Sequence, residues 1–191
     1  MQGRLDFGLT PLGHRQAAAT AERLRKEAIH RVVASPLTRA TTTAGTIAAA
    51  LGIPVEPEPG LMEYDIGEVS GLTGAEIRAR YPEVTAAWSR GERPRFPGEE
   101  GRDVFAARVA AVLEALRSRD ETVLAVAHGG VNQALCRLTL GLEVGAFGRG
   151  AFSVANCSIT EIVRDRAGGL VLLRHNDVCH LEGLATEADR H

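Results

Sequence analysis

Two short apolar runs limit what this chain can fold into: HRVVAS at residues 30–35 and TVLAVAHGG at residues 122–130. Neither alternates polar with apolar. A strand that is apolar on successive positions needs cover on both faces, and such strands belong to parallel sheets flanked by helices. Each run leads straight into a helical segment. SPLTRATTTAGTIAAALG predicts a helix from about Leu37 to Leu51 that stops at Gly52. Residues 131–140 predict another. Strand, helix, strand, helix in this order predicts an α/β fold with a mostly parallel sheet covered on both sides.

The remaining segments fit the same plan. Thr10 followed by Pro11 is an N-cap with proline in the first turn, and opens a helix to about Lys26. PVEPEPGL is a proline-punctuated extended stretch, and residues 73–90 predict short helices broken near Pro82. GERPRFPGEEG is a loop by its glycines and prolines. Residues 102–118 carry Val104, Phe105, Val109, Val112, Leu113 and Leu116 at helical spacing. NCSITEIV and GLVLLRHN predict two late strands joined by a turn at Asp165 to Gly169. With 191 residues and no repeat or linker, residues 1–191 are expected to form a single domain.

Charge and cysteine content exclude several classes. A net charge of −2 gives no global field to attract nucleic acid or an acidic membrane surface. No apolar stretch approaches the ~20 residues of a membrane helix. Cys136, Cys157 and Cys179 are widely spaced, an odd set that suits reduced thiols in the cytoplasm. GxGxxG and GxxxxGK[ST] are both missing, which removes the dinucleotide and P-loop readings.

In a parallel sheet the chemistry belongs in the crevice beyond the carboxyl ends of the strands. The first apolar run delivers Ser35, Pro36 and then Arg39 in the opening turn of a helix. A guanidinium fork beside free helix N–H donors is an anion clamp. The second run delivers His128, with Gly129 and Gly130 leaving room for a ligand to approach. LMEYDIGEVSG adds a glycine-bearing loop with Glu63 near its start. Taken singly, Arg39 and Glu63 read more readily as solvated surface groups, and His128 reads as either a structural or a functional strand-end residue. His175 and His180 suggest a metal pair, but no carboxylate or cysteine pattern supports one, so a structural role is favoured.

The order of motifs carries more than any one of them. QGRLDFGLTPLGHRQA, ASPLTRATTTA, LMEYDIGEVSG, FPGEEG, VAHGG, ANCSI and NDVCHL occur in that sequence and together resemble the histidine phosphatase superfamily, the phosphoglycerate mutase-like enzymes. The resemblance covers Gln2 to about Leu181. It implies a three-layer α/β/α sandwich around a mostly parallel sheet. It also implies phosphoryl transfer through a phosphohistidine, with a phosphorylated small molecule as substrate and with neither metal nor cofactor. By the same resemblance Arg39 binds the transferring phosphoryl group, His128 stabilises its oxygens and Glu63 protonates the leaving oxygen. Gln2, Gly3 and Gly129 contact substrate.

The family opens on an apolar strand ending in Arg-His-Gly, which carries the nucleophile. The one His-Gly here, His128-Gly129, matches the second histidine motif. Met1 therefore stands at an internal position of the family, and the domain is expected to be N-terminally incomplete. Three origins are open: a start assigned or cut too late, a homologue that has lost catalysis, or another residue acting as nucleophile. A chain without that strand must close its sheet by a register change, by joining neighbouring strands, or by sharing an element in a homodimer.

The family's FGEWEG segment is IGEVSG here, with Val69 and Ser70 as departures; PGGES is PGEEG, with Glu99 and Gly101; and Ala127 replaces a serine before HGG. Chain length is nearer the compact phosphatases than the glycolytic mutases. Mutases carry added basic residues for a second phosphate, and Arg78, Arg80, Arg90, Arg93 and Arg95 are available for that. Phosphatase is favoured, with a mutase and a non-catalytic phosphate binder as alternatives.

Overall fold

The computed structural model describes residues 2–144 and 152–184; Met1 lies outside them. Six helices and five strands follow the expected order among the described residues. Helix α1 spans Pro11–Leu24, and the Thr10 side chain accepts the Gly13 N–H at 3.1 Å. Strand β1 is Arg31–Ala34 and helix α2 is Thr38–Leu51, closed by Gly52 at φ +70°. Strand β2 covers Val55–Pro57, so the proline-punctuated stretch is a true edge strand with its proline at the end. Helices α3, Gly74–Arg80, and α4, Pro82–Ser89, break at Pro82 as the sequence suggests.

Helix α5 is Arg102–Arg117, β3 is Val123–Val126 and α6 is Gly129–Thr139. Strands β4, Ile159–Arg164, and β5, Leu170–Asp177, form an antiparallel hairpin. Strand β1 lies between β2 and β3, parallel to both, with Val32 opposite Val55 and Leu124.

Both faces of β1 are covered, as its composition requires. Val32 and Ala34 pack on Ala44 and Ala48 of α2, with α1 beyond. Val33 points the other way, into a core with Leu61, Phe105 and Val109 of the opposite side and Val131 of α6. Small alanines on α2 let the helix lie close to the strand. Two expectations fail locally. Val104 sits off the buried stripe of α5, which is Phe105, Val109, Val112 and Leu113, and is 60% exposed. Strand β3 is apolar but only half-buried along its length, because one edge pairs with β1 and the described strands continue no further on the other. The β4–β5 hairpin is a separate two-stranded sheet. Helices and a parallel sheet in this order are the α/β architecture that the sequence predicts.

Candidate active site

The carboxyl ends of β1 and β3 lie side by side because the ladder runs past the strands: the Ser35 N–H donates to the Val126 carbonyl at 3.0 Å. That register brings Ser35 Oγ to 2.7 Å from His128 Nε2. Ser35 is fully buried and its hydroxyl also accepts the Leu37 N–H at 3.3 Å. Sequence reasoning placed Ser35 at the strand end without a task; the structure gives it the His128 ring. Burial, and then the charges of Arg39 and Arg108, push the His128 pKa down to about 4, so its resting form is neutral.

Glu63 reaches the same corner from the loop after β2. Its carboxylate accepts the N–H of Tyr64 at 2.8 Å and of Gly130 at 3.0 Å, the latter in the first turn of α6. Burial raises its pKa above the usual carboxylate range; the two N–H donors and the charges of Arg39 and Arg108 pull in the other direction. A Cβ on Gly130 would fall 2.4 Å from Glu63 Oε1, whereas one on Gly129 would meet open space. The Gly-Gly pair is thus asymmetric. Gly130 admits the acid, and Gly129 leaves the approach to His128 clear.

Arg39 is in the first turn of α2, as expected, but its surroundings differ from the anticipated clamp. One guanidinium N–H donates to the Leu5 carbonyl at 2.8 Å and another to that of Gly3 at 2.9 Å. The α2 N-terminus does not offer free donors at Thr38, because Asp6 takes both the Thr38 N–H, at 2.6 Å, and its hydroxyl, at 2.8 Å. Three N–H groups of Arg39 remain for a ligand. The segment 2–5 is held in a turn, with the Leu5 N–H on the Gln2 carbonyl at 3.0 Å. Gly3 is at φ +49°, and a side chain there would strike Ile66 Cγ1 at 2.6 Å. Gln2 is exposed.

His175 and His180 take structural partners. His175 bonds the Ser153 carbonyl at 2.9 Å, and His180 the Cys157 carbonyl at 3.1 Å and Thr20 Oγ1 at 3.0 Å. No group of three or more metal-ligating side chains occurs among the described residues. Sequence reasoning missed Arg4, Glu100 and Arg108, which gather at the Glu63 backbone; nothing local marks them, since Arg4 lies 59 and Arg108 45 positions from the Glu63 carbonyl they meet.

A buried neutral histidine leaves a mark on stability. The folded pKa of His128, about 4, is below the ordinary value of ~6.5, so the unfolded chain gains the proton first on acidification. Stability from this residue is full above about pH 6.5 and is lost as pH falls through about 4. Allowing for partial exposure, we expect ~2 kcal/mol between pH 7 and pH 4. The raised pKa of Glu63 acts oppositely, since its protonation favours the folded form. Urea unfolding of wild type and His128→Asn at both pH values checks this; an equal pH dependence in the variant rules His128 out as the source.

The arrangement joins the Arg39 guanidinium, a neutral imidazole and a buried carboxyl group in one crevice. Relatives with known names share the chain's sequence and shape. It is 32% identical over 192 residues to phosphoserine phosphatase 1 of Hydrogenobacter thermophilus, covering 99% of this chain and 90% of that protein. It is 37% identical over 180 residues to a bifunctional protein of Mycobacterium tuberculosis, covering 90% of this chain but 48% of that protein, so it spans about half of that relative. The mycobacterial glucosyl-3-phosphoglycerate phosphatase in complex with inorganic phosphate superimposes with a TM-score of 0.79 at 31% identity, over 94% of this chain and 92% of that one. The model of the histidine phosphatase superfamily (branch 1) matches residues 1–178, and the chain belongs to that superfamily.

Proposed function

We propose that this domain is built to hydrolyse phosphomonoesters through a phosphohistidine, without a metal. The observation that carries the reading is the convergence of Arg39, His128 and a buried Glu63 carboxyl group whose pKa is raised toward neutrality. Arg39 neutralises the phosphoryl oxygens, where positioning and electrostatics provide most of the catalysis of such transfers. His128, held by Ser35, stabilises the same oxygens. Glu63, whose pKa burial raises above the usual carboxylate range, gives its proton to the departing alkoxide. Gln2, Gly3 and Gly129 line the substrate side.

A phosphohistidine needs a histidine that can attack phosphorus beside His128. His14 is exposed on α1, and His30, His175 and His180 bond elsewhere, so His128 is the one described histidine at this crevice. We assign the nucleophile to a parallel strand docked on the second edge of β3, and expect residues 1–191 alone to bind phosphate but not to turn it over. A second copy lending a strand to the same edge, in a homodimer, is the other way to close the sheet. The phosphatase reading is preferred to a mutase because two of the available arginines are committed: Arg90 pairs with Glu92 at 2.7 Å and Arg93 with Glu99 at 3.1 Å. No helix of the described residues is long and apolar enough to cross a membrane. Three free cysteines suit a cytoplasmic location.

Phosphate binding tests the site directly. A ligand that binds the folded state alone stabilises by RT ln(1 + [L]/Kd), about 2.7 kcal/mol at a hundredfold excess over Kd. Millimolar phosphate or vanadate should raise Tm, and Arg39→Ala should abolish the rise. An undiminished shift in that variant places the anion elsewhere and defeats the reading.

A further inference from the structure

We propose that Arg108, acting with Arg4 and with Glu100 between them, is the positioning device for Glu63. This rests on Glu63 being the acid of the site. After the single turn of 3-10 helix at Pro59–Leu61, the loop that carries Glu63 has no secondary structure of its own. Its carbonyls need other partners. Arg108, from the middle of α5, supplies them: one terminal nitrogen donates to Gly60 O and to Met62 O, both at 2.7 Å. The other donates to Glu100 Oε1 at 2.7 Å and leans on Glu63 O at 3.5 Å. Arg4 approaches from the opposite side, with Nε on Glu63 O at 3.0 Å and a terminal nitrogen on Glu100 Oε2.

Two guanidinium groups, locked together by one carboxylate, therefore grip three carbonyls of a four-residue loop. Both Arg108 and Glu100 are largely buried, at 18% and 10% side-chain exposure. Helix α5 also presses on the loop, since a Cβ on Gly60 would lie 2.2 Å from Val112 Cγ2. The consequence at the other end of the residue is the placement of the Glu63 carboxylate on the Gly130 N–H. Charged groups acting on that carboxylate are Arg39 from α2, Arg108 from α5 and, through the backbone, the Arg4–Glu100 pair.

A lysine at 108 keeps the positive charge but cannot reach three carbonyls in a fixed fork. This separates positioning from charge. On the 191-residue chain, the Gly130 and Tyr64 amides are followed by 1H–15N NMR as pH is varied. In wild type both should report the Glu63 titration, with a midpoint above that of ordinary carboxylates. Glu63→Gln should erase the response, which fixes its assignment. In Arg108→Lys the response at Gly130 should be lost and the Glu63 midpoint should move toward the ordinary carboxylate value. Arg4→Lys, at a more exposed position, should do the same in part and serves if Arg108→Lys does not fold. If either folded variant shows a lower Tm while the Gly130 response keeps its amplitude and midpoint, the arginines merely anchor the loop and the proposal is overturned. The readout needs no turnover, so failure of the phosphatase reading would appear separately, as lost phosphate binding.

Discussion

A polypeptide carrying a parallel strand that ends in Arg-His-Gly ahead of Gln2 will hydrolyse p-nitrophenyl phosphate, while residues 1–191 alone will show at most traces. The reason lies in the strand order. Strand β3 pairs with β1 on one edge, its other edge has no strand partner among the described residues, and the β4–β5 hairpin is separate. A strand added there in parallel ends at the same edge as Ser35 and His128. It brings a second imidazole opposite His128, one for in-line attack and one for the oxygens. Removal of a nucleophile from an enzyme that works by covalent catalysis can lower kcat by on the order of 10⁶-fold, so the gain should be large.

Stability should rise with activity. Each buried N–H or C=O that finds a ladder partner recovers ~1–3 kcal/mol, against a total of ~5–15 kcal/mol for a domain. EDTA should leave the activity unchanged. In the lengthened protein Glu63→Gln should slow an alkyl phosphate far more than p-nitrophenyl phosphate, whose leaving group needs no proton. Robust turnover by residues 1–191, verified by intact mass, would falsify the assignment. A lengthened protein that gains stability and binds phosphate without turning it over would point to the non-catalytic binder.

The second large effect is on stability. Gly67→Ala should remove ~3 kcal/mol or more, whereas Gly52→Ala should remove ~1 kcal/mol. Both glycines have left-handed backbones, at φ +62° and φ +70°, so both substitutions carry the same conformational penalty. They differ in their surroundings. A Cβ on Gly52 meets nothing within 4 Å, but one on Gly67 would lie 2.2 Å from Pro97 O, 2.5 Å from Gly98 C and 2.6 Å from Glu99 N. Those are backbone atoms and cannot rotate away. The loops 62–71 and 97–101 would part, breaking the Glu68 N–H to Pro97 O bond of 2.9 Å. The same shift would strain the Arg93–Glu99 pair, where Glu99 is 4% exposed and Arg93 stands over Tyr64 and Phe96. Urea unfolding of the two variants side by side decides it; equal losses would mean that the loops do not cross at Gly67.

What was legible in the sequence follows physical range. The apolar runs of β1 and β3, the Thr10-Pro11 cap and the break at Pro82 are set by neighbours a few positions away, and all appear where the sequence puts them. Arg39, Glu63 and His128 were each weak alone, and became readable through the order of the surrounding motifs. The structure brings those three together. Asp6 on the α2 N-terminus, 32 positions away, and Arg108 beneath Glu63, 45 positions away, have no local pattern to announce them. The half-exposure of β3 was invisible for another reason: composition says that a strand wants two neighbours, not whether both are supplied.

Arg39 offers a last consequence. An arginine on a surface samples many rotamers, and fixing it on a ligand forfeits up to ~2 kcal/mol of side-chain entropy. Here the Leu5 and Gly3 carbonyls already hold the guanidinium plane at 2.8 and 2.9 Å. The loss is taken during folding, and a phosphate arriving at the proposed site would meet a fork whose orientation is set. On the proposed function, the turn at residues 2–5 would thus preorganise the anion site, and its own order would be an ingredient of affinity for a phosphorylated ligand.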